Sequence, residues 1–214
     1  MRLLLLMSAI LAGLAMPVMA RPVSYPGGWT VMQMNDAFSN SLHIHYSPTA
    51  TYSIGYKGEY FRDGEWQFHG VQLNNLIHRW NNPDSQANLY LKSAIGVAYS
   101  DQGIFDNKTE GAGFTGIAAD WENRRFFTSY ENRGIYAGDI NKQFSQKARV
   151  GVAPYIGDYG DIHTWLMLQV DDAPSSKDGT LTVTPLVRMF KGPTLFEAGV
   201  NNNGKILFNY VHRF

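Results

Sequence analysis

Cysteine is absent from the 214-residue sequence, and neither sign of charge is in excess. Without cysteine there can be no disulfide, no thiolate-ligated metal and no thiol catalysis. Eighteen basic and 18 acidic residues give a formal net charge of +0, so the chain has no general electrostatic attraction for nucleic acid. We therefore expect no nucleic-acid partner, and stability must come from a large core, a membrane or both.

Long hydrophobic runs are also absent, apart from one at the N-terminus. The first 20 residues, MRLLLLMSAILAGLAMPVMA, combine an early arginine, an apolar run from Leu3 to Met16 and a small residue, Ala20, as a secretory signal peptide does. The alternative is a transmembrane anchor, but the run is shorter than the ~20 residues of a spanning helix and Pro17 follows it. The sequence predicts export, with residues 1–20 cleaved as a signal peptide.

A sustained helical period of apolar residues is missing as well, whereas an alternation with a period of two recurs along the chain. In SLHIHYS, residues 41–47, Leu42, Ile44 and Tyr46 fall on one face. Successive strand residues point to opposite faces, so this pattern predicts half-polar strands. Aromatic residues make up 14% of the chain, which also favours an all-β fold. With no repeat or linker, residues 21–214 are predicted to form a single domain.

Turn-forming residues divide the chain into about twelve strands, with eight or ten as alternative counts. Asn82-Pro83-Asp84 and Asn203-Gly204 are typical turn segments. The stretch 73–80, LNNLIHRW, is ambiguous between a short helix and the end of a long strand. The predicted strands cover residues 29–35, 41–47, 51–61, 65–75, 87–99, 113–122, 125–131, 147–157, 163–171, 180–190, 194–201 and 205–214.

Two architectures fit an exported all-β chain of this size, a soluble sandwich or barrel and a transmembrane β-barrel. The polar strand faces carry full charges while the opposite faces are apolar, as expected when one face meets a lumen and the other meets lipid. Aromatic residues such as Trp29 and Trp121 fall near strand ends, where a barrel has its aromatic girdles. The connections are predicted to alternate between short turns and two long loops, 100–112 and 132–146. These features favour a transmembrane antiparallel β-barrel.

The last ten residues, KILFNYVHRF, carry a family resemblance. Ile206, Phe208, Tyr210, His212 and Phe214 alternate on one face, and this segment resembles the C-terminal strand of Gram-negative outer-membrane β-barrel proteins. The resemblance implies a monomer in the cell outer membrane, in contact with its lipids and lipopolysaccharide. It also implies that Phe208, Tyr210 and Phe214 form a signal that the barrel-assembly machinery reads.

Methionine and histidine alternate on the first predicted hairpin. If four residues, 37–40, form its loop, then Met34 pairs with His43, Met32 pairs with His45, and Val31 pairs with Tyr46 on the lipid side. Two thioethers and two imidazoles would suit a soft metal such as copper(I). The alternative is that the methionines fill gaps and the histidines form hydrogen bonds in a wet lumen.

Charged residues on the polar faces predict a polar lumen in which opposite charges pair. Unpaired burial of these charges would be costly, so we expect pairs such as Glu197 with Arg213. The mixed signs suggest a structural polar core or a conduit for small solutes, whereas a pore selective for one ion sign would show an excess of charge. The residues predicted to point inward are Lys57, Glu59, Lys92, Arg149, Arg188, Glu197 and Arg213.

Signals for catalysis are weak. The chain has no G-x-S-x-G motif, so we assign no catalytic residue and predict no cofactor. The segment 190–214 is similar to the lipid A palmitoyltransferase barrel, but the segment comparable to that family's active site, QLNNLIHRW, lacks the Asp-Ser pair. The leading hypothesis is therefore a structural or small-solute-handling barrel. A metal-handling barrel and a lipid-modifying enzyme are the alternatives.

Overall fold

The computed structural model describes residues 21–62, 64–100, 105–158, 160–175 and 181–214. These residues form twelve antiparallel strands that close into a barrel, in which each strand pairs with its neighbours in sequence and β1 pairs with β12. The all-β barrel and the count of twelve strands are confirmed, and at the level of the fold they bear out the resemblance to outer-membrane β-barrel proteins. The predicted signal peptide, 1–20, lies outside the described residues. The strands are β1 Gly28–Asn35, β2 Ser39–Ser47, β3 Tyr52–Phe61, β4 Trp66–Asn81, β5 Ser85–Ser100, β6 Lys108–Asn123, β7 Phe126–Ala137, β8 Asn141–Val152, β9 His163–Asp172, β10 Thr182–Lys191, β11 Thr194–Val200 and β12 Ile206–Arg213.

Strand lengths differ around the barrel. The ambiguous stretch 73–80 is the end of β4, one of three strands of 16 residues. The predicted long loop 132–146 is wrong, because β7 and β8 each run for 12 residues and leave only residues 138–140 as a turn. The connection from β8 to β9, 153–162, is in turn longer than predicted. The predicted alternation of short turns and long loops therefore failed at residues 132–146, where a charged and polar segment continues the two strands instead of forming a loop.

The outer face of the barrel carries large apolar residues on every strand. Because alternate side chains point outward, each strand contributes at least one large hydrophobic residue that is exposed on the isolated chain. No helix among the described residues is long and apolar enough to cross a membrane. One exposed residue from each strand, in order, is Trp29, Leu42, Ile54, Val71, Ile95, Ile117, Phe126, Val150, Leu168, Val187, Phe196 and Phe208.

The barrel interior is largely filled. An apolar cluster that includes Phe68 and Phe114 occupies one wall, and a second cluster that includes Trp165 and Leu207 occupies the other. Polar side chains occupy the space between the clusters. Those buried most completely include Thr30, His45, Asn74, Gln169, Glu197 and Asn209.

The two ends of the barrel differ. The Asp36 end carries the β1–β2 turn, residues 36–38, together with the β7–β8 turn. The Arg21 end carries residues 21–27, which precede β1 and fold back into the lumen. There Arg21 contacts Glu122 on β6, and the carbonyl of Pro22 accepts hydrogen bonds from Ser53 and Asn74 on β3 and β4. Because these contacts reach strands on different sides of the barrel, the segment 21–27 crosses the lumen.

Candidate functional site

The seven charged residues predicted to point inward all have interior positions, and five of them belong to two clusters. The first cluster surrounds Glu197, whose side chain is 2% exposed. Its carboxylate accepts hydrogen bonds from Arg188 Nε at 2.6 Å, Arg149 Nη1 at 3.2 Å and Asn209 Nδ2 at 2.6 Å. The Nε of Arg149 donates to Gln169 at 2.6 Å. One buried carboxylate thus accepts hydrogen bonds from two arginines and one side-chain amide.

The predicted pair between Glu197 and Arg213 is wrong. The residue of β12 opposite Glu197 is Asn209. Arg213 lies four residues further along the strand, which is about 13 Å at the rise of a β-strand. Its Nη2 donates to the carbonyl of Arg21 at 3.3 Å, so the arginine holds the segment 21–27 instead.

The second cluster surrounds Glu59 on β3. Arg133 donates to both oxygens of this carboxylate, at 2.7 and 3.1 Å, Ser39 Oγ donates at 2.8 Å, and Lys57 Nζ lies 3.5 Å away. The guanidinium of Arg133 also lies over the Phe114 ring, 5.3 Å from its centroid. The geometry is bidentate, which fixes both side chains in orientation.

Three further ion pairs lie in the interior, and sequence reasoning missed most of their members. Lys92 Nζ lies 2.8 Å from Glu131, while Lys147 Nζ lies 3.2 Å from Asp36 and 3.5 Å from Asp171. Arg133, like the polar residues around it, fell in the predicted loop 132–146. The period-two pattern of that segment could have revealed the strand, because Arg133 and Ile135, which are two residues apart, lie on the same interior face of β7.

Asp36 links the β1–β2 turn to this network. Its Oδ1 accepts hydrogen bonds from the backbone N–H groups of Phe38 and Ser39. Burial raises the pKa of the Asp36 carboxyl, but the Lys147 ammonium and these two N–H groups more than offset burial, so the pKa lies below its ordinary value of 3.8. Asp36 is therefore held as a carboxylate in the turn.

A cavity of about 180 Å³ lies among these pairs. It extends from the β1–β2 turn at the Asp36 end to Pro22, and both signs of charge line it in nearly equal numbers. It is smaller than the pockets that hold drug-sized ligands. The charged side chains that line it are the basic Lys57, Lys92, Arg133 and Lys147 and the acidic Asp36, Glu59, Glu131, Asp171 and Asp172.

The predicted register of the first hairpin is wrong by two residues. Met32 pairs with His43, Met34 with Ser41, and Thr30 with His45. The reason is the Asp36 side chain, whose hydrogen bonds to the N–H groups of Phe38 and Ser39 place the turn one residue earlier in the chain, between Asn35 and Asn40. A shift of two residues leaves each side chain on its predicted face, because the strand period is two.

The same shift changes the outward pairs of this hairpin. Val31 pairs with Ile44 rather than with Tyr46, and Tyr46 lies opposite Trp29. The Trp29 and Tyr46 rings are in contact, with centroids 5.3 Å apart.

His43 and His45 are both buried in the interior, with ring centroids 4.4 Å apart. Met32, Met34 and His43 line the cavity, whereas His45 lies two residues closer to the Arg21 end along β2. Nε2 of His43 and both ring nitrogens of His45 have no hydrogen-bond partner among the described residues. Within the same residues, no three His, Cys, Asp or Glu side chains gather as a metal cluster.

The three residues of the predicted assembly signal lie at the seam where β12 meets β1. Phe208 and Tyr210 are on the outer side of β12. The backbone N–H of Phe214 donates to the Trp29 carbonyl at 2.9 Å, and the Tyr25 hydroxyl donates to the Phe214 carbonyl. The terminal residue thus takes part in closing the barrel, while its reading by assembly machinery stays a prediction.

No protein-family model matches the sequence, and no curated protein sequence is significantly similar to it. Among solved structures, the chain is similar to LpxR from Salmonella typhimurium, with 9% identity and a TM-score of 0.48 over 87% of this chain and 99% of that one. It is also similar to the KdgM porin, with 8% identity and a TM-score of 0.45 over 87% of this chain and 96% of that one.

Proposed function

We propose that this protein is an integral outer-membrane β-barrel that binds a small polar solute in its lumen. The apolar residues exposed on all twelve strands support insertion into lipid, because a soluble barrel would cover such a belt. The twelve described strands also leave no open sheet edge, since β1 pairs with β12.

The cavity near the Asp36 end is the observation on which the solute-binding proposal depends. Its walls carry four basic and five acidic side chains, so a solute with a single charge would meet like and opposite charges in nearly equal numbers. A small zwitterion can form hydrogen bonds with both kinds of group. Lys92 and Glu131 are suited to this role, because their side chains remain 18% and 40% exposed although they pair at 2.8 Å.

Binding is favoured over free conduction because the lumen is obstructed. The segment 21–27 crosses the Arg21 end, and Val23, 3% exposed, packs against Tyr90 and Ala118. The two interior apolar clusters narrow the remaining space. A solute would therefore enter the cavity from the Asp36 end and stop there.

A thermal-unfolding assay tests this proposal. Purified protein in detergent micelles is heated alone and with excess glycine betaine, alanine or glucose. A ligand that binds only the folded state raises the unfolding temperature. We expect at least one zwitterion to do so and glucose to have no effect. The Lys92→Gln/Glu131→Gln variant keeps the net charge of the cavity and should lose the response.

The matched control is Lys108→Gln/Asp139→Asn. That pair, 2.6 Å apart, lies at the exposed rim, so its removal should leave the zwitterion response intact. No response to any zwitterion in the wild type would contradict the proposal, as would the same loss of response in both double variants.

A further inference from the structure

We propose that Met32, Met34 and His43 form a binding site for a monovalent soft metal ion of the copper(I) class. This site goes beyond the proposed function, because it occupies one wall of the cavity and does not require the zwitterion. The three side chains line the cavity together.

The strand register brings the three donors within reach of one ion. Met32 lies directly opposite His43 in the β1–β2 pair, and Met34 is its diagonal neighbour, opposite Ser41. Directly opposite residues have Cβ atoms about 4.5–5.5 Å apart, and diagonal neighbours are about 7–8 Å apart, which long side chains can span. Methionine is flexible enough to direct its sulfur toward a common point.

The imidazole of His43 is the second, independent observation. The residue is only 5% exposed, and its Nε2 has no hydrogen-bond partner among the described residues. A buried polar atom without a partner is costly and calls for a ligand, an ion or an ordered water. Here the unpartnered atom belongs to a side chain that lines the cavity. The neighbouring residues on β1, Met32 directly opposite and Met34 diagonally, carry thioether sulfurs.

The chemistry of the donors selects the metal. Thioether and imidazole ligands suit copper(I), whereas calcium and magnesium require oxygen ligands. The neighbouring charges also favour a monovalent ion over a divalent one, because Lys57 on β3 is the residue paired with His43. The carboxylate nearest to Lys57, that of Glu59, is already bound by Arg133. A site beside an ammonium and without a free carboxylate is better suited to a single positive charge than to a double one.

His45, although it was part of the predicted metal set, is excluded from this site. It pairs with Thr30 on β1 and with Gly55 on β3, neither of which carries a thioether or imidazole donor. His45 also does not line the cavity that Met32, Met34 and His43 share.

Silver(I) titration tests the site, because silver(I) has the ligand preference of copper(I) and no competing redox chemistry. Binding to the purified full-length protein is measured by isothermal titration calorimetry in chloride-free buffer. We expect one equivalent to bind to the wild type. We expect His43→Gln, and Met32→Leu/Met34→Leu, to weaken binding by at least about tenfold, since even second-sphere changes cost 10–100-fold in metal affinity.

Two controls match these variants. Met189→Leu removes a methionine from the outer face, and His45→Gln removes the histidine next to the site; both should bind silver(I) like the wild type. Circular dichroism melting confirms that each variant is folded. A wild type that binds no silver(I), a His43→Gln variant that binds equally well, or a loss of binding in His45→Gln would each overturn the site.

The metal and solute proposals fail separately. Silver(I) binding without any zwitterion response would remove the proposed function and leave the metal site. A zwitterion response without silver(I) binding would remove the metal site and leave the proposed function.

Discussion

Arg188 donates a 2.6 Å hydrogen bond from Nε to Glu197, the residue directly opposite it on β11. Both side chains are almost fully buried, and Arg149 from β8 joins the same carboxylate. Three strands of the barrel wall are therefore linked through one charged group in the lumen. The stability of that wall depends on the group remaining ionised and paired.

Substitution Glu197→Gln should strongly destabilise the barrel. It leaves two buried guanidinium groups without their carboxylate, and breaking a buried ion pair in this way costs about 3–5 kcal/mol. The measurement is the free energy of unfolding in urea, with the protein refolded into lipid vesicles. The control is Glu110→Gln, which removes a partly exposed rim pair with Lys108 at 3.2 Å and should cost about 1 kcal/mol or less. Equal losses in the two variants would contradict the prediction.

The sequence alone sufficed for the number of strands and for the faces of most of them, but not for the extent of β7 and β8 or for the pairs within the lumen. Alternation is a local property, so twelve strands and the inward position of residues such as Glu197 could be predicted. A pair between strands depends on register, and register depends on turn geometry. The partner expected for Glu197 was Arg213, which lies four residues beyond its true neighbour Asn209.

The first hairpin shows the same limit. The hydrogen bonds of the Asp36 side chain place the turn one residue earlier in the chain, so His43 pairs with Met32 rather than with Met34. The segment 21–27 was not predicted to enter the lumen at all, because it has neither alternation nor an apolar run. Its place depends on contacts with distant residues such as Glu122.

Substitution Gly55→Ala should destabilise the contact between β2 and β3. A Cβ atom at position 55 would lie 2.0 Å from the Ile44 carbonyl oxygen and 2.4 Å from the Cα of His45, so the backbone would have to move. Overpacking of this kind costs about 1–3 kcal/mol. Gly111→Ala is the control, since its Cβ would meet nothing within 4 Å. Urea unfolding that shows the same stability for both variants would refute the close approach.

Substitution Leu168→Lys tests the lipid-facing surface. Leu168 is 42% exposed near the middle of β9, and a lysine or arginine at the bilayer midplane of a barrel costs about 2–4 kcal/mol. Gln33→Lys, on the outer face near the end of β1, should cost about 0–1 kcal/mol because it lies close to the interface. Both are measured by urea unfolding in vesicles. A soluble barrel would show no such difference between the two positions.

Substitution Asp36→Asn should reduce the acid sensitivity of the barrel. The folded pKa of Asp36 lies below its ordinary value of 3.8, so the carboxylate stabilises the fold above that value, and the stabilisation is lost as pH falls through the folded pKa. The gap in unfolding free energy between wild type and variant should therefore be full at neutral pH and close below about pH 3.8. Asp84→Asn, in the exposed β4–β5 turn, should show no such gap. A gap that widens toward acid would reverse the assigned sign.

Substitution Glu122→Arg should open the lumen at the Arg21 end. The 2.5 Å contact between Arg21 and Glu122 joins the segment 21–27 to the far wall, and two arginines there would repel each other. In planar bilayers we expect the wild type to show few conductance steps and Glu122→Arg to show frequent ones. The Arg21→Glu/Glu122→Arg variant restores the attraction with the charges exchanged, so it should close the lumen again. Frequent steps in the wild type, or no rescue by the double variant, would show that this segment does not obstruct the barrel.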